Sequence, residues 1–508
     1  MEDNRSTIRL NADDNVVIAL KDLDTVNETR KNRSGTAMSV SAGHKIAAKK
    51  IPKGGLIRKY GQIIGVASKD INPGEHVHTH NMKIGKSSRS AEIETDIKPV
   101  NCFSNSQQAK FKGIVRSDGR IATRNYVGVL PSVACSASVC RYITDALSPK
   151  ILEAYPNVDG VVGLTHTGGC GMSPHSPGFE NLQRCLAGYA NHPNFWGVLY
   201  IGLGCEVNQL ELIFDNPNLS SSAKLRTISI QEVGGTEATI KLGIEMLSEM
   251  LPEANQAKRE AVPASHLILG LECGGSDAFS GITANPALGA AADLVVQNGG
   301  TVILSETTEI YGAEQLLIQR AANQKVADKL MSLIHWWEEY TRINGATINN
   351  NPTPGNKAGG LTTILEKSLG AVAKAGSTPL MEVYRYAEEV TAKGLVFMDT
   401  PGYDLASVTG MVAGGANMIC FTTGCGTVLG VKPVPVIKLA SNTEMFLRLS
   451  ADMDMDCGGI IYRKQSIEEA GEAIFQSILD TASGQKTKSE VFGYGDNEFV
   501  PWQIGAVL

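Results

Sequence analysis

Short apolar runs that end in glycine-rich turns, alternating with longer amphipathic stretches, dominate the chain from Gly113 onward. The runs at 126–130, 158–164, 196–201, 267–271 and 301–304 are almost uninterruptedly apolar. Strands of that kind are buried on both faces, as in a parallel sheet with helices on each side. A helix-rich stretch near 314–343 follows, then a Pro- and Gly-rich loop at 351–360, then a further α/β portion from 394 to about 482. The beginning of the chain reads differently. Strand-like runs at 15–20 and 61–66 are separated by turn signals at 53–55 and 72–74, which predicts a small all-β unit. A polar stretch rich in Ser, Asn, Gln and Lys follows it and has the composition of a linker. The expected organisation is an all-β domain over 1–92, a linker over 93–112, an α/β domain over 113–258 and a second α/β domain over 259–508.

Composition narrows the function classes. A chain of 508 residues exceeds what one hydrophobic core supports. Its 43% hydrophobic and 19% charged content is that of a globular protein, and 53 glycines suit many tight strand-to-helix turns. A net charge of −6 and a pI near 5.9 argue against a nucleic-acid partner, which calls for a concentrated basic surface. No apolar run is long enough to span a bilayer, so no membrane partner is expected. Residues 1–5 lack the features of a signal peptide, and a cytoplasmic location is expected. Ten cysteines without a CxxC pair fit neither a zinc ribbon nor a dense disulfide framework.

Four cysteines share one local context, just past an apolar run: Cys135, Cys170, Cys205 and Cys273. Ligands of parallel α/β sheets bind outside the carboxyl ends of the strands, so four such turns could converge on one pocket and bind iron or an iron–sulfur cluster. Buried structural thiols are the plainer alternative. His166 precedes Cys170 by four residues in a turn too glycine-rich for a helix, where an imidazole could ligate a metal, act as a base or simply bond the backbone. His76, His78 and His80 alternate, which on a strand sets them on one face, toward a ligand or toward solvent. The loop from Cys273 through Ser276, Asp277 and Ser280 offers hydroxyls and backbone N–H groups to an anion, and Asp277 could ligate a metal or cap the following helix. Lys357, in a loop between Pro354-Gly355 and Gly359-Gly360, could pair with a substrate carboxylate, act as a catalytic base or simply be a solvated surface lysine. Glu306 and Glu309 add carboxylates at the expected ligand edge of the sheet.

Together these motifs resemble the altronate/galactarate dehydratase family over almost the whole chain. The N-terminal portion carries Gly-His-Lys at 43–45, Ile-Arg-Lys-Tyr-Gly at 57–61 and Glu-His-Val-His-Thr-His-Asn at 75–81, and is similar to that family's SAF-type domain. The body carries Gly-Arg-Ile-Ala-Thr-Arg-Asn at 119–125, Gly-Leu-Gly-Cys-Glu at 202–206 and Cys-Gly-Gly-Ser-Asp-Ala-Phe-Ser-Gly at 273–281. It also has Ala-Asn-Pro at 284–286, Pro-Gly-Asn-Lys at 354–357 and Lys-Ser-Leu-Gly at 367–370. The run at 311–317 and the three-histidine segment look more like the altronate branch.

The resemblance implies an α/β body with parallel sheets behind a small all-β SAF-type domain, acting as a hydro-lyase that converts a sugar acid to a 2-keto-3-deoxy acid. It implies Fe2+ or Mn2+ under reducing conditions, with an iron–sulfur cluster as the alternative. The metal is expected among the turns bearing Cys135, His166, Cys170, Cys205 and Cys273, and Glu206 is a further site residue with no role assigned. His44 or His166 would be base or acid, and Lys357 would hold the carboxylate. Arg124, Asn125, Ser276, Asp277, Ser280, Asn285, Asn356 and Cys425 are the expected substrate-binding residues. Cys425 stands where the family pattern has arginine, so the substrate is open: altronate, galactarate or sulfolactate, or a sugar acid that is bound without turnover. The expected partner is a small sugar acid, and a homo-oligomer is expected.

Overall fold

The computed structural model describes residues 6–24, 39–85, 97, 99–147, 149–216, 219, 223–462 and 464–505. The N-terminal domain is built from antiparallel strands. Thr7–Ile8, Val16–Ala19, Lys45–Ala47 and His76–Val77 form one sheet, and Leu56–Lys59, Gln62–Ala67 and Met82–Lys83 form another. Val16, Ala47, Ile57, Ile64, Ala67, Val77 and Met82 interdigitate as its core, and Leu369 from the C-terminal domain packs against them. Gly54 and Gly74 sit at the expected turns with φ of 82° each, a region that costs glycine nothing.

The expected linker at 93–112 falls partly outside the described residues. Where it is described, Cys102 and Phe103 bond to the backbone of Val296 and Gln297, so this segment lies on the C-terminal domain. Its last residues enter the strand Lys110–Val115, which pairs antiparallel with Arg259–Pro263.

The second domain holds four parallel strands: β1 (Tyr126–Pro131), β2 (Gly160–Gly163), β3 (Phe195–Gly202) and β4 (Leu225–Ser229), in spatial order β2-β1-β3-β4. Helices α1 (Ala137–Ala146) and α3 (Thr236–Ala254) cover one face, while α2 (Pro177–Ala190) covers the other. Arrangement and sequence agree because the strands have no polar face to give to water.

The C-terminal domain is a seven-stranded parallel sheet. Its strands are β5 (Ile268–Cys273), β6 (Thr301–Leu304), β7 (Leu380–Tyr384), β8 (Gly394–Met398), β9 (Met418–Thr423), β10 (Val436–Ala440) and β11 (Met455–Asp456), in spatial order β7-β8-β6-β5-β9-β10-β11. Flanking helices include α4 (Ala284–Gln297), α5 (Gln324–Ile343), α7 (Ile364–Val372), α8 (Asp404–Ala413) and α9 (Ile467–Ala482); the short helix α6 (Pro354–Ala358) precedes α7. Residues of α2 and α8 belong to one hydrophobic cluster, so the second and third domains share a core. Gly188 lies against Ala413, where an added Cβ would stand 2.2 Å from its carbonyl oxygen. No helix among the described residues is long and apolar enough to cross a membrane.

Candidate active site

Beta-strand 5 closes on Glu272 and Cys273, both buried, and β6 leads into Glu306 and Glu309. After β8, Asp404 opens α8. Ligand-type atoms of Cys273, Glu306 and Glu309 lie within 4.8 Å of one another, as do those of Glu272, Glu306 and Asp404. Glu306 belongs to both groups. Its backbone is left-handed with φ of 66°, unfavourable for a residue with a Cβ, and its N–H donates to Thr400 Oγ1 at 2.8 Å. Strain of this kind persists where the surroundings over-determine a side chain's position, and it clusters at functional sites.

Two lysines neutralise part of this charge. Lys367 Nζ donates to Glu309 Oε1 at 2.6 Å, and Asn351 donates to the same oxygen at 2.7 Å. Lys374 Nζ lies 3.5 Å from Glu306 Oε2, and both side chains are buried. Burial opposes ionisation of Glu309, but Lys367 outweighs it and holds the carboxyl below its usual range. Burial and then Glu309 push Glu306 up to about 7. Asp404 is pushed up to about 6 by the same two causes. Glu272 and the Cys273 thiol are driven well up by burial. Ser407 donates to Glu272 Oε2, yet Glu272 Oε1 and Glu306 Oε1 are buried without a hydrogen-bond donor among the described residues.

A second layer lies between this domain and the N-terminal one. Asp277 Oδ1 accepts from Ser280 and Ser441, and its Oδ2 accepts from Asn442. It therefore ties a turn together; the residue preceding α4 is Thr283. The segment around Lys357, expected as a loop, is the short helix α6, because Thr353 and Asn356 form a reciprocal capping box. Asn356 also donates to Ser276 O at 2.8 Å. Asn285 is bonded to Gly370 O and Thr422. Cys425 is exposed, with its backbone N–H on Gly275 O.

His76, His78 and His80 do not lie on one strand. The strand stops at Val77 because Asn81 accepts from His78 N and donates to His76 O, folding the chain into a turn. The rings cluster all the same, with centroids of the contacting pairs, His44 included, 5.1 to 5.4 Å apart. His44 and His76 share a 2.9 Å hydrogen bond, while His44 and His78 reach the carbonyls of Ala358 and Lys357. Burial and then His44 push His76 down to about 3.

Other expected site residues lie elsewhere. Arg124 spends its donors on Glu490, Thr123 O, Thr481 O and Gln485 O, and Asn125 bonds Arg116, Asn157 O and Ala254 O, so both tie segments together. His166 is buried, with Nε2 on Pro131 O and Nδ1 accepting from Gly168 N. Glu206 turns back onto Leu203 N, Gly204 N and Ser132. The four cysteines expected at one pocket divide: Cys135, Cys170 and Cys205 lie in turns that follow strands of the four-stranded sheet, and Cys273 ends a strand of the seven-stranded one. Glu272, Asp404, Lys367 and Lys374 were not among the expected residues. Their signals are an acid inside an apolar strand, an acid just after a strand-end Pro-Gly, and two lysines seven apart on an otherwise buried helical stretch.

Fold and site define a three-domain α/β protein with a buried carboxylate, ammonium and thiol centre at the carboxyl ends of a parallel sheet. Residues 5–85 match the altronate/galactarate dehydratase SAF domain, 113–255 the second domain of D-galactarate dehydratase/altronate hydrolase, and 264–507 the C-terminal domain of D-galactarate/altronate dehydratase. The chain is 36% identical over 490 residues to the altronate dehydratase of Bacillus subtilis (strain 168), covering 96% of this chain and 97% of that protein. It is 35% identical to the altronate dehydratase of Escherichia coli (strain K12), covering 95% and 96%. With the galactarate dehydratase (L-threo-forming) of the same organism it shares 36% identity, covering 96% and 94%. The chain belongs to the altronate/galactarate dehydratase family, and it is an enzyme of the hydro-lyase class.

Proposed function

We propose that this enzyme dehydrates an aldonate or aldarate, with altronate the first candidate, to a 2-keto-3-deoxy acid at the carboxylate centre of the seven-stranded sheet. The observation that carries this reading is Glu306, a strained buried acid shared by both ligand groups, with one oxygen that meets no hydrogen-bond donor among the described residues. The α-proton beside an ionised carboxylate is weakly acidic, so elimination needs strong stabilisation of the enediolate.

A divalent cation fits the donor set. Buried carboxylates that face one another with unpartnered oxygens repel unless they are protonated or bound to a cation. Oxygen donors with one sulfur suit Fe2+ or Mn2+. Glu272, Glu306, Glu309 and Cys273 are the residues that would hold it, with Asp404 beside them left free for proton transfer. When bound, the ion supplies Lewis-acid stabilisation of the developing oxyanion.

The chain's own groups account for the proton transfers. Asp404, less buried than its neighbours and with a carboxyl near 6, takes the α-proton close to neutral pH. The β C–O bond breaks as the enediolate pair forms the C=C bond, and the leaving hydroxide takes a proton from the Lys367 ammonium. The enol product then ketonises. The histidines and α6 would contact the polyol end of the substrate, with Cys425 bordering that layer. A cytoplasmic location and self-assembly into a homo-oligomer belong to the same reading.

The test is incubation of anaerobically purified enzyme, with Fe2+ and reductant, against a panel of aldonates and aldarates. The expected product carries a 2-keto-3-deoxy carbonyl. Absence of that product from every acid contradicts the reading.

A further inference from the structure

Three cysteines of the second domain take no part in the centre described above, and their placement is regular. Pro131 of β1 pairs with Ile201 of β3; Cys135 and Cys205 each lie four residues beyond that pair. Val129 pairs with Gly163 of β2, so Thr165 is level with Pro131 and Cys170 lies five residues past it. The thiols thus follow the carboxyl ends of three adjacent parallel strands at nearly equal depth, where neighbouring strands run about 4.8 Å apart.

The three turns are fastened to one another. Ala134 N donates to Gly168 O at 2.9 Å, Asn208 N donates to Gly169 O at 3.1 Å, and Asn208 Nδ2 donates to Ser132 O at 2.9 Å. Ser132 also donates to Glu206, which accepts from Leu203 and Gly204 as well. Glycines with left-handed backbones, Gly169 and Gly171, flank Cys170, and Gly204 precedes Cys205. A Cβ on Gly169 would stand 2.4 Å from Ser132 O, so the close approach of the first two turns depends on glycine. Cysteine is among the residues most often buried, yet here all three cysteines are exposed while Ser132, Glu206 and Asn208, which fasten their turns, are buried.

We infer that Cys135, Cys170 and Cys205 hold a [4Fe–4S] cluster, leaving one iron without a protein ligand. Cysteine thiolates are the protein ligands of such units, four in the common case, so three leave one iron open. Transfer of a preformed [4Fe–4S]2+ unit to the site replaces three exchangeable ligands by the three sulfurs and releases three thiol protons, with no net change of oxidation state. The turns of Cys135 and Cys170 also line, through Ala134, Ala137, Thr165, His166 and Thr167, a cleft of about 630 Å³ against Tyr403 and the segment around Phe499. This inference rests on the second domain alone and holds whichever residues carry out the elimination.

The experiment is anaerobic purification of the full chain, reconstituted with iron, sulfide and a thiol, followed by metal and sulfide analysis, absorption and electron paramagnetic resonance. The expected result is a brown protein with about four iron and four sulfide per chain and absorbance at about 400 nm. Cys135→Ser, Cys170→Ser and Cys205→Ser should each lose most of that content, while Cys102→Ser, on the exposed segment beside Val296, keeps it. A colourless unmodified chain, a single ion bound without sulfide, or a triple serine variant that still carries the cluster would overturn the assignment. Cluster content is read without turnover, so failure here is separable from failure of the proposed dehydration.

Discussion

Glu366 and Lys367 are adjacent in α7 and are held by opposite partners: Glu366 by Lys45 and Lys59 of the N-terminal domain, Lys367 by Glu309 of the carboxylate centre. The Lys45 and Lys59 ammoniums lie 2.8 and 3.0 Å from Glu366, all three side chains are buried, and Thr362 donates to the same carboxylate. One helical turn therefore couples the seating of the N-terminal domain to the position of the cation beside Glu309.

Removing the acid of that triad tests the coupling. Glu366→Gln leaves two buried ammoniums sharing a neutral amide, and loss of a buried pair partner costs about 3–5 kcal/mol. Denaturant titration should show a loss of that order. Turnover should fall with it, because Lys367 loses its fixed anchor. Unchanged stability would mean that the triad contributes nothing to docking.

Metal removal makes a second prediction. Chelation should lower both turnover and the melting temperature, and added Mn2+ should restore the melting temperature, since a ligand that binds only the folded state stabilises it. Glu272→Gln should abolish the Mn2+-dependent rise. Mn2+ does not rebuild an iron–sulfur cluster, so this readout isolates the carboxylate centre.

Two buried histidines predict an acid limb in stability. Burial pushes His166 and His192 down to about 4 each; His192 bonds the carbonyl of Ala416 and accepts from Asn194 N. A lowered folded pKa means that the unfolded chain binds more protons between about pH 6.5 and 4. Stability therefore falls as pH drops through that window. Glu306 and Asp404 act in the opposite sense, because their folded carboxyls are raised. His192→Gln isolates one contribution: its denaturation midpoint should decline less steeply than that of the unmodified enzyme from pH 6.5 to 4. Parallel declines would contradict the assignment.

Much of the architecture was legible because it rests on local pattern. Uninterrupted apolar runs such as 126–130 and 267–271 became strands of parallel sheets, and the turns at Gly54 and Gly74 fell where expected. Pairing between distant segments was not legible. Nothing local separates Cys273 from Cys135, Cys170 and Cys205; only strand order assigns them to different sheets. Likewise, Arg124 was expected as a substrate ligand from the family motif that carries it, and its partner Glu490, 366 residues away, left no local signal. Lys367 and Lys374 were hidden for the same reason, since their acids come from the turn after β6.

The central claim is that elimination takes place at the carboxylates of the seven-stranded sheet. The most direct measurement compares turnover of the preferred sugar acid by Glu306→Gln and His166→Gln, each shown to be folded. The expected result is a loss of at least about 100-fold in kcat for Glu306→Gln, the scale of a lost catalytic carboxylate, with His166→Gln within about threefold of the unmodified enzyme. Full activity in Glu306→Gln, with activity abolished in His166→Gln, would move the chemistry to the second domain and contradict the claim.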